Sequence, residues 1–179
     1  MKICFFLPAS YPFFSKSKEH TSGGAELQFY LLAKHLSFDS NYDIVFLVGD
    51  YNQNHVSESG GVTLHKSFNI RAVDSFFKKL KNTFTYYKLL KKIKPDIVLT
   101  TTSNSIVGIT AFLKRSLEFK HIHRTAHIND VNTKRIKKNG ITGRIYKYGL
   151  EHADKVITQS GEHQNLLRDN HGIKADIIR

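Results

Sequence analysis

The fold is decided between residues 2 and 26, where Lys2-Ile3-Cys4-Phe5-Phe6-Leu7-Pro8 is followed, after a polar loop, by Ser22-Gly23-Gly24-Ala25-Glu26. The apolar run Ile3 to Leu7 reads as a short strand buried on both faces. Pro8 and Pro12 stop it, because proline has no N–H to give to a ladder. Beyond the glycines, Ala25, Phe29, Leu32, Ala33 and Leu36 recur at spacings of three and four, which predicts a helix with one core-facing side. A strand, a glycine-bearing loop and a helix start make a place where an anion can sit. The first helical N–H groups have no internal partner, and glycine lets a phosphate or sugar approach the backbone. Two glycines can also do no more than shape a turn, and the dinucleotide fingerprint G-x-G-x-x-G is not present.

Working outward, the same strand-then-helix grammar repeats. Ile44 to Val48 is a second buried strand, 51–61 a polar loop, and Val62 to His65 a shorter strand nearer an edge. A helical pattern runs from Asp74 to about Lys94, with Phe77, Leu80, Phe84, Tyr87 and Leu90 along one side, and Pro95 closes it. Asp96 to Thr100 is a third core strand, Ser105 to Leu117 a helix, and Lys120 to His127 a strand. His121 and His123 lie along that strand as packing or surface residues. The segment 129–140 reads as a basic loop, 143–152 as a helix, 156–158 as a strand, 162–170 as a helix and 175–179 as the beginning of another strand. Apolar strands alternating with helices predict an α/β, doubly wound, mainly parallel sheet with helices on both faces, a Rossmann-like arrangement. Its ligand crevice is expected beyond the C-terminal strand ends.

The chain has 179 residues, enough for one well-filled core, and 1–179 is read as a single domain. No stretch has the roughly 18 consecutive apolar residues of a membrane span. Lys2 with a five-residue apolar run is too short for a secretory leader, so the expected location is cytoplasmic. The lone Cys4 cannot form an internal disulfide. No histidine pair with a carboxylate or cysteine has metal-site spacing, and no metal is expected. The compositional outlier is charge: 27 Lys and Arg against 15 Asp and Glu give a net +12, which calls for a polyanionic partner such as nucleic acid, an anionic membrane or a phosphorylated substrate.

Several segments in order carry a family resemblance: Lys2 to Pro8; Gly23-Gly24-Ala25-Glu26 with Leu32-Ala33-Lys34-His35-Leu36; Lys94-Pro95-Asp96-Ile97-Val98; Thr125-Ala126-His127; and Ala153-Asp154-Lys155-Val156-Ile157-Thr158-Gln159-Ser160 with Gly172-Ile173. Together they resemble the N-terminal domain of family 4 glycosyltransferases of group 1 type, retaining enzymes of two-domain GT-B architecture. The resemblance implies a nucleotide-diphosphate sugar as donor substrate, a glycan or lipid-linked acceptor, no cofactor, and a donor-binding C-terminal domain absent from this chain. It implies that Gly23 and Gly24 lie against the donor diphosphate. It also implies that His127 acts beside the transferred sugar as the catalytic-region histidine, and that Ser160 sits at the cleft edge. Ser160 fits an N-cap of the following helix equally well, and Glu26 complements its helix start. The family reading points to surface polysaccharide or lipid-linked glycan synthesis.

The predicted 74–94 helix has a second face. Lys78, Lys79, Lys81, Lys88, Lys91, Lys92 and Lys94 stand against Asp74 alone, with Phe76, Phe77, Phe84, Tyr86 and Tyr87 interleaved. Lys134, Arg135, Lys137, Lys138, Arg144 and Lys147 form a second basic group. A solvated lysine face over a core-facing aromatic stripe explains much of this. A basic amphipathic helix also docks on anionic lipid, so peripheral attachment at the inner face of the membrane is the functional alternative. Two further readings compete with a sugar-transferring enzyme. One is a non-catalytic acceptor-binding or membrane-recruiting subunit of a split glycosyltransferase. The other is a basic nucleic-acid-binding domain, against which stands the lack of a recognised motif or exposed stacking platform.

Overall fold

The computed structural model describes residues 1–15, 23–68 and 75–178, with the side chain of Phe76 also outside the description. The expected helix start at Asp74 and the terminal Arg179 therefore fall outside the described residues, as does most of the loop before Gly23. The chain forms two compact units, Met1–Asp96 and Ile97–Arg179.

In the first unit, β1 (Lys2–Phe6) pairs parallel with β2 (Asp43–Val48), and β2 pairs parallel with β4 (Val62–Lys66). Among the described residues the unit carries three α-helices: α1 (Tyr11–Ser15), α2 (Gly24–Leu36) and α3 (Phe76–Ile93). Alternation along β1 assigns the helices to faces. Phe5 meets Phe29 of α2 edge-on at 5.5 Å and stacks on Phe46 of β2. The next residue, Phe6, meets Tyr86 of α3 at 4.9 Å. Helices α2 and α3 thus cover opposite faces of this sheet, the arrangement that a doubly wound fold requires.

Four expectations change here. The 51–61 loop contains β3 (Val56–Ser59), antiparallel to β4; Gly60 and Gly61, both at positive φ, close a tight hairpin. β3 has no continuous apolar run, and its residues alternate between exposed and half-buried. The loop after β1 contains α1, whose Phe14 packs edge-on against Phe46. The stripe Phe77, Leu80, Phe84 on α3 is not core-facing: those residues are 80%, 59% and 55% exposed, while Tyr86, Leu90 and Ile93 are buried. Both sets step by three and four, so periodicity alone did not distinguish them. On α2, Phe29 and Ala33 are buried as expected, but Leu32 is exposed and Glu26 is buried.

In the second unit all strand pairs are parallel: β5 (Ile97–Thr101) with β6 (Lys120–Arg124), β6 with β7 (Lys155–Thr158), and β7 with the two-residue β8 (Asp176–Ile177). Its helices are α4 (Ser105–Leu117), α5 (Thr133–Lys138), α6 (Gly140–His152) and α7 (Gly161–His171). The expected 129–140 loop holds α5, capped by the Asn132 side chain on the Arg135 N–H. Helices α4 and α6 cross with their backbones touching. A Cβ on Gly108 would sit 2.0 Å from the Ile145 carbonyl oxygen, and one on Gly149 would sit 2.5 Å from the Gly108 nitrogen. A single core joins Val107, Tyr146, Leu150, Val156 and Leu167.

Two aspartates begin strands in the same way. The Lys2 N–H donates to Asp96 Oδ2 at 2.6 Å while the Asp96 N–H donates back to the Lys2 carbonyl. The His121 N–H donates to Asp154 Oδ2 at 2.8 Å, and the Asp154 N–H returns the bond to His121. Each carboxylate therefore clasps the first residues of a strand, one in each unit.

Candidate functional site

Parallel strands present their C-terminal ends on one side, and in the second unit three neighbours end in capped turns. After β5, Asn104 caps α4 by accepting from the Ile106 N–H, and its amide donates to the Thr102 hydroxyl. Thr102 itself has φ 66, uncommon for a β-branched residue. After β7, Ser160 caps α7, its Oγ accepting from the His163 N–H at 3.2 Å. After β6 comes His127, exposed, at the start of a 3-10 turn over Ile128–Asp130.

That turn is held from both ends. His127 Nδ1 accepts from the Asn129 N–H at 3.0 Å. The carboxylate of Asp130, 3% exposed, accepts from the N–H groups of both Ala126 and His127, at 2.8 and 3.0 Å. An accepting Nδ1 leaves the ring proton of the neutral imidazole on Nε2, so the open side of His127 is an N–H donor.

Behind the turn lies a buried polar chain that the sequence reading missed. His121 and His123 are fully buried, so of the two readings, packing or surface, packing holds. Thr100 Oγ1 lies 2.8 Å from His121 Nε2 and 3.0 Å from His123 Nδ1. His123 Nε2 lies 3.3 Å from the Tyr146 hydroxyl, which donates to the Asp130 carbonyl at 2.9 Å. Burial drives both imidazoles toward the neutral form: His121 falls to about 3, with the Lys114 ammonium adding to the effect, and His123 falls well below its ordinary value. Burial, with the Asp130 carboxylate, pushes the Tyr146 hydroxyl well above its ordinary value. The signal in the sequence was the alternation of His121, His123 and Thr125, which share the buried face of β6.

In the first unit, Gly23 is the N-cap of α2 with extended backbone, and Gly24 is the first helical residue. Both are exposed. A Cβ on Gly23 would lie 2.8 Å from Glu26 Oε2, so the Glu26 carboxylate already occupies that side of the helix start. A Cβ on Gly24 would meet nothing within 4 Å, and the helix start is open on that side. Gly23 and Gly24 belong to one unit, His127 and Ser160 to the other.

The lysines Lys78, Lys79, Lys81, Lys88, Lys91 and Lys92 are all exposed on α3, which carries no acidic residue. At about 100° per residue, Phe77, Lys81, Phe84, Lys88 and Lys91 lie within roughly 50° of the direction opposite the buried Tyr86–Leu90–Ile93 side. The Lys88 ammonium rests 4.4 Å above the Phe84 ring. In the second unit, α5 and α6 bound a groove of about 570 Å³ lined by Ile136, Lys137, Ile141, Arg144 and Lys147, among others. Among the described residues no group of three His, Cys, Asp or Glu side chains could hold a metal ion, and no helix is long and apolar enough to cross a membrane.

Helices on both faces of a parallel sheet, with capped turns along the strand ends, define a doubly wound, Rossmann-like α/β protein. Solved structures with this fold include a UDP-N-acetylglucosamine 2-epimerase, with a TM-score of 0.62, 14% identity and coverage of 95% of this chain and 45% of that one. A Glycyrrhiza uralensis UGT complexed with glycyrrhetinic acid 3-O-monoglucuronide superposes with a TM-score of 0.60 at 9% identity, covering 100% of this chain and 48% of that one. An Arabidopsis thaliana UGT complexed with UDP gives 0.53 at 9% identity, covering 99% and 48%. Such identities speak to the fold alone. In sequence, 100 residues are 30% identical to an uncharacterized glycosyltransferase of Methanocaldococcus jannaschii, covering 52% of this chain and 25% of that protein. The chain thus spans about a quarter of the length of this curated relative. Residues 2–160 match the family described as Glycosyl transferase 4-like, and the chain belongs to that family.

Proposed function

We propose that this chain is the acceptor-side domain of a glycosyltransferase that moves a sugar from a nucleotide-diphosphate sugar to a hydroxyl of a glycan or lipid-linked acceptor, with retention at the anomeric carbon. The family match across residues 2–160 carries the reading. His127 supports it, since an exposed Nε2–H on a rigid turn can donate to a sugar hydroxyl or to charge developing on the departing group. Taken by itself, the open Gly24 side of the α2 start suits a phosphate group, because the first helical N–H groups favour negative charge. Glu26 excludes it from the Gly23 side. The donor nucleotide is held chiefly by a second domain. Related solved proteins bound to UDP make uridine nucleotides the first donors to try.

Binding tests this directly. Saturation-transfer NMR with UDP, UDP-sugars and GDP-sugars on the full-length protein should reveal one nucleotide class that binds and is displaced by its own diphosphate. No binding by any of them would sink the reading.

A second element concerns location. The outer face of α3 places Phe77 and Phe84 beside Lys81, Lys88 and Lys91, away from the buried side, which suits an anionic lipid surface into which the rings insert. Cosedimentation with phosphatidylglycerol vesicles should be strong at low salt, weak with phosphatidylcholine alone, and lost when Lys81, Lys88 and Lys91 are changed to Glu. Retention of the triple variant on the anionic vesicles would exclude this face.

A further inference from the structure

The buried polar chain behind β6 has only one consistent arrangement of protons. The single hydroxyl hydrogen of Tyr146 goes to the Asp130 carbonyl. His123 must therefore donate from Nε2 to the Tyr146 oxygen, and its Nδ1 must be the acceptor. Thr100 then donates to His123 Nδ1 and accepts from His121 Nε2. His121 Nδ1 is left without a proton, and it is the one ring nitrogen of the pair that has no partner among the described residues. An unpaired buried acceptor is the tolerable way for such a chain to end; an unpaired N–H would cost more. Every donor in the sequence His121, Thr100, His123, Tyr146, Asp130 thus points the same way, toward the turn.

The last member of this chain is the residue that shapes the His127 turn. Tyr146 grips the carbonyl of Asp130, while the carboxylate of the same residue holds the Ala126 and His127 N–H groups. The turn so formed brings the Asn129 N–H onto His127 Nδ1. That contact settles which ring nitrogen of His127 faces outward with a proton.

We propose that Tyr146 and His123 are positioning residues for His127: the one-way hydrogen-bond chain fixes the turn, and the turn fixes the outward Nε2–H tautomer. What His127 does with that proton rests on the sugar-transfer reading; how it is held rests on the hydrogen bonds alone.

The test separates the two. Long-range proton–nitrogen NMR on the histidine side chains of the protein reports each tautomer. In the unmodified protein, His121 and His123 should be neutral Nε2–H forms near pH 7.5, and the neutral form of His127 should carry its proton on Nε2. In Tyr146→Phe, which keeps the ring and removes the hydroxyl, the two His127 nitrogen shifts should converge as the tautomers average. Asp130→Asn keeps an oxygen acceptor for both backbone N–H groups and should leave His127 as it is. In the active enzyme, Tyr146→Phe should lower kcat about fivefold to tenfold, the worth of one net hydrogen bond, with donor KM unchanged. A His127 that keeps its tautomer in Tyr146→Phe overturns the proposal. So does a proton on Nδ1 of His123 in the unmodified protein, a readout that needs no variant to fold. If no transfer is found in the unmodified protein, the function reading fails and the tautomers still decide the positioning claim.

Discussion

At Gly108, on the crossing of α4 and α6, one added methyl group should do serious harm. Its Cβ would lie 2.0 Å from the Ile145 carbonyl oxygen, 2.6 Å from Ile145 Cγ2 and 2.8 Å from the Ile145 carbonyl carbon. Two of these atoms are backbone, so no rotamer change relieves them. Ordinary contact begins near 3.4 Å, and α4 and α6 must separate by about 1.4 Å at their crossing to reach it. That movement opens the core around Val107, Tyr146 and Leu150. Gly149 faces the same crossing from the other helix, which leaves no slack on the far side. Overpacking of this kind costs about 3 kcal/mol, the upper part of its usual range. With a urea dependence near 2 kcal/mol per molar, Gly108→Ala should lower the denaturation midpoint by about 1.5 M. Gly161→Ala is the control: it is the first residue of α7 and its Cβ would meet nothing within 4 Å. It should unfold at or slightly above the parent midpoint. A Gly108→Ala midpoint indistinguishable from that of Gly161→Ala would refute the close crossing.

Stability should also fall with acid in a defined window. His121 is held to about 3 by burial and by Lys114, against Asp154, so between about 3 and 6.5 the unfolded chain binds the proton that the folded one refuses. Going from pH 7 to pH 5 should cost about 2 kcal/mol from His121, read as a lower urea midpoint, with His123 adding in the same direction. Lys94→Gly should stabilise: Lys94 ends α3 in the left-handed region at φ 51, and glycine there should gain about 1 kcal/mol, or roughly 3 °C in Tm by calorimetry. Asp96→Ala should cost about 1 kcal/mol by urea titration, because the exposed clasp on the Lys2 N–H is lost; a smaller effect than for Asp169→Ala, whose carboxylate holds no backbone N–H of a strand, would contradict the clasp.

The alternation of apolar strands and helices was enough to read the parallel α/β layout, because strands such as Ile44 to Val48 are buried on both faces and leave a continuous apolar signature. What escaped reading had weaker signatures for physical reasons. β3 at Val56–Ser59 is half exposed and built of Val, Ser and Glu, so it carries no apolar run. On α3 two stripes share one period, and only the placement of Tyr86 against Phe6 tells which is inside. The α4–α6 crossing rests on Gly108 and Gly149, 41 positions apart, whose significance exists only in three dimensions. At the candidate site, Gly23, Gly24 and Ser160 were legible as helix starts, whereas His127, read as the end of a strand, lies past the end of β6 at Arg124 and caps the turn that follows. The structure adds what surrounds them: the Asp130 clamp, the Glu26 carboxylate beside Gly23, and the Ser160 cap. For His121 and His123 the packing and surface readings stayed open, since a strand reading Lys-His-Ile-His-Arg presents its polar alternation as a surface pattern as readily as a buried one. Thr100 and Tyr146, distant in sequence, are what make that polar face suitable for burial.

The central claim is sugar transfer dependent on the His127 turn, and one assay reaches it most directly. Full-length protein is incubated with radiolabelled nucleotide sugars and a membrane extract of acceptors, and label transferred to glycan or lipid is counted beside a His127→Ala variant. Transfer from one donor class, reduced at least tenfold in His127→Ala while the variant keeps the parent urea midpoint, is the predicted result. Transfer that survives intact in His127→Ala would contradict the account of the site, and no transfer from any donor would contradict the function itself.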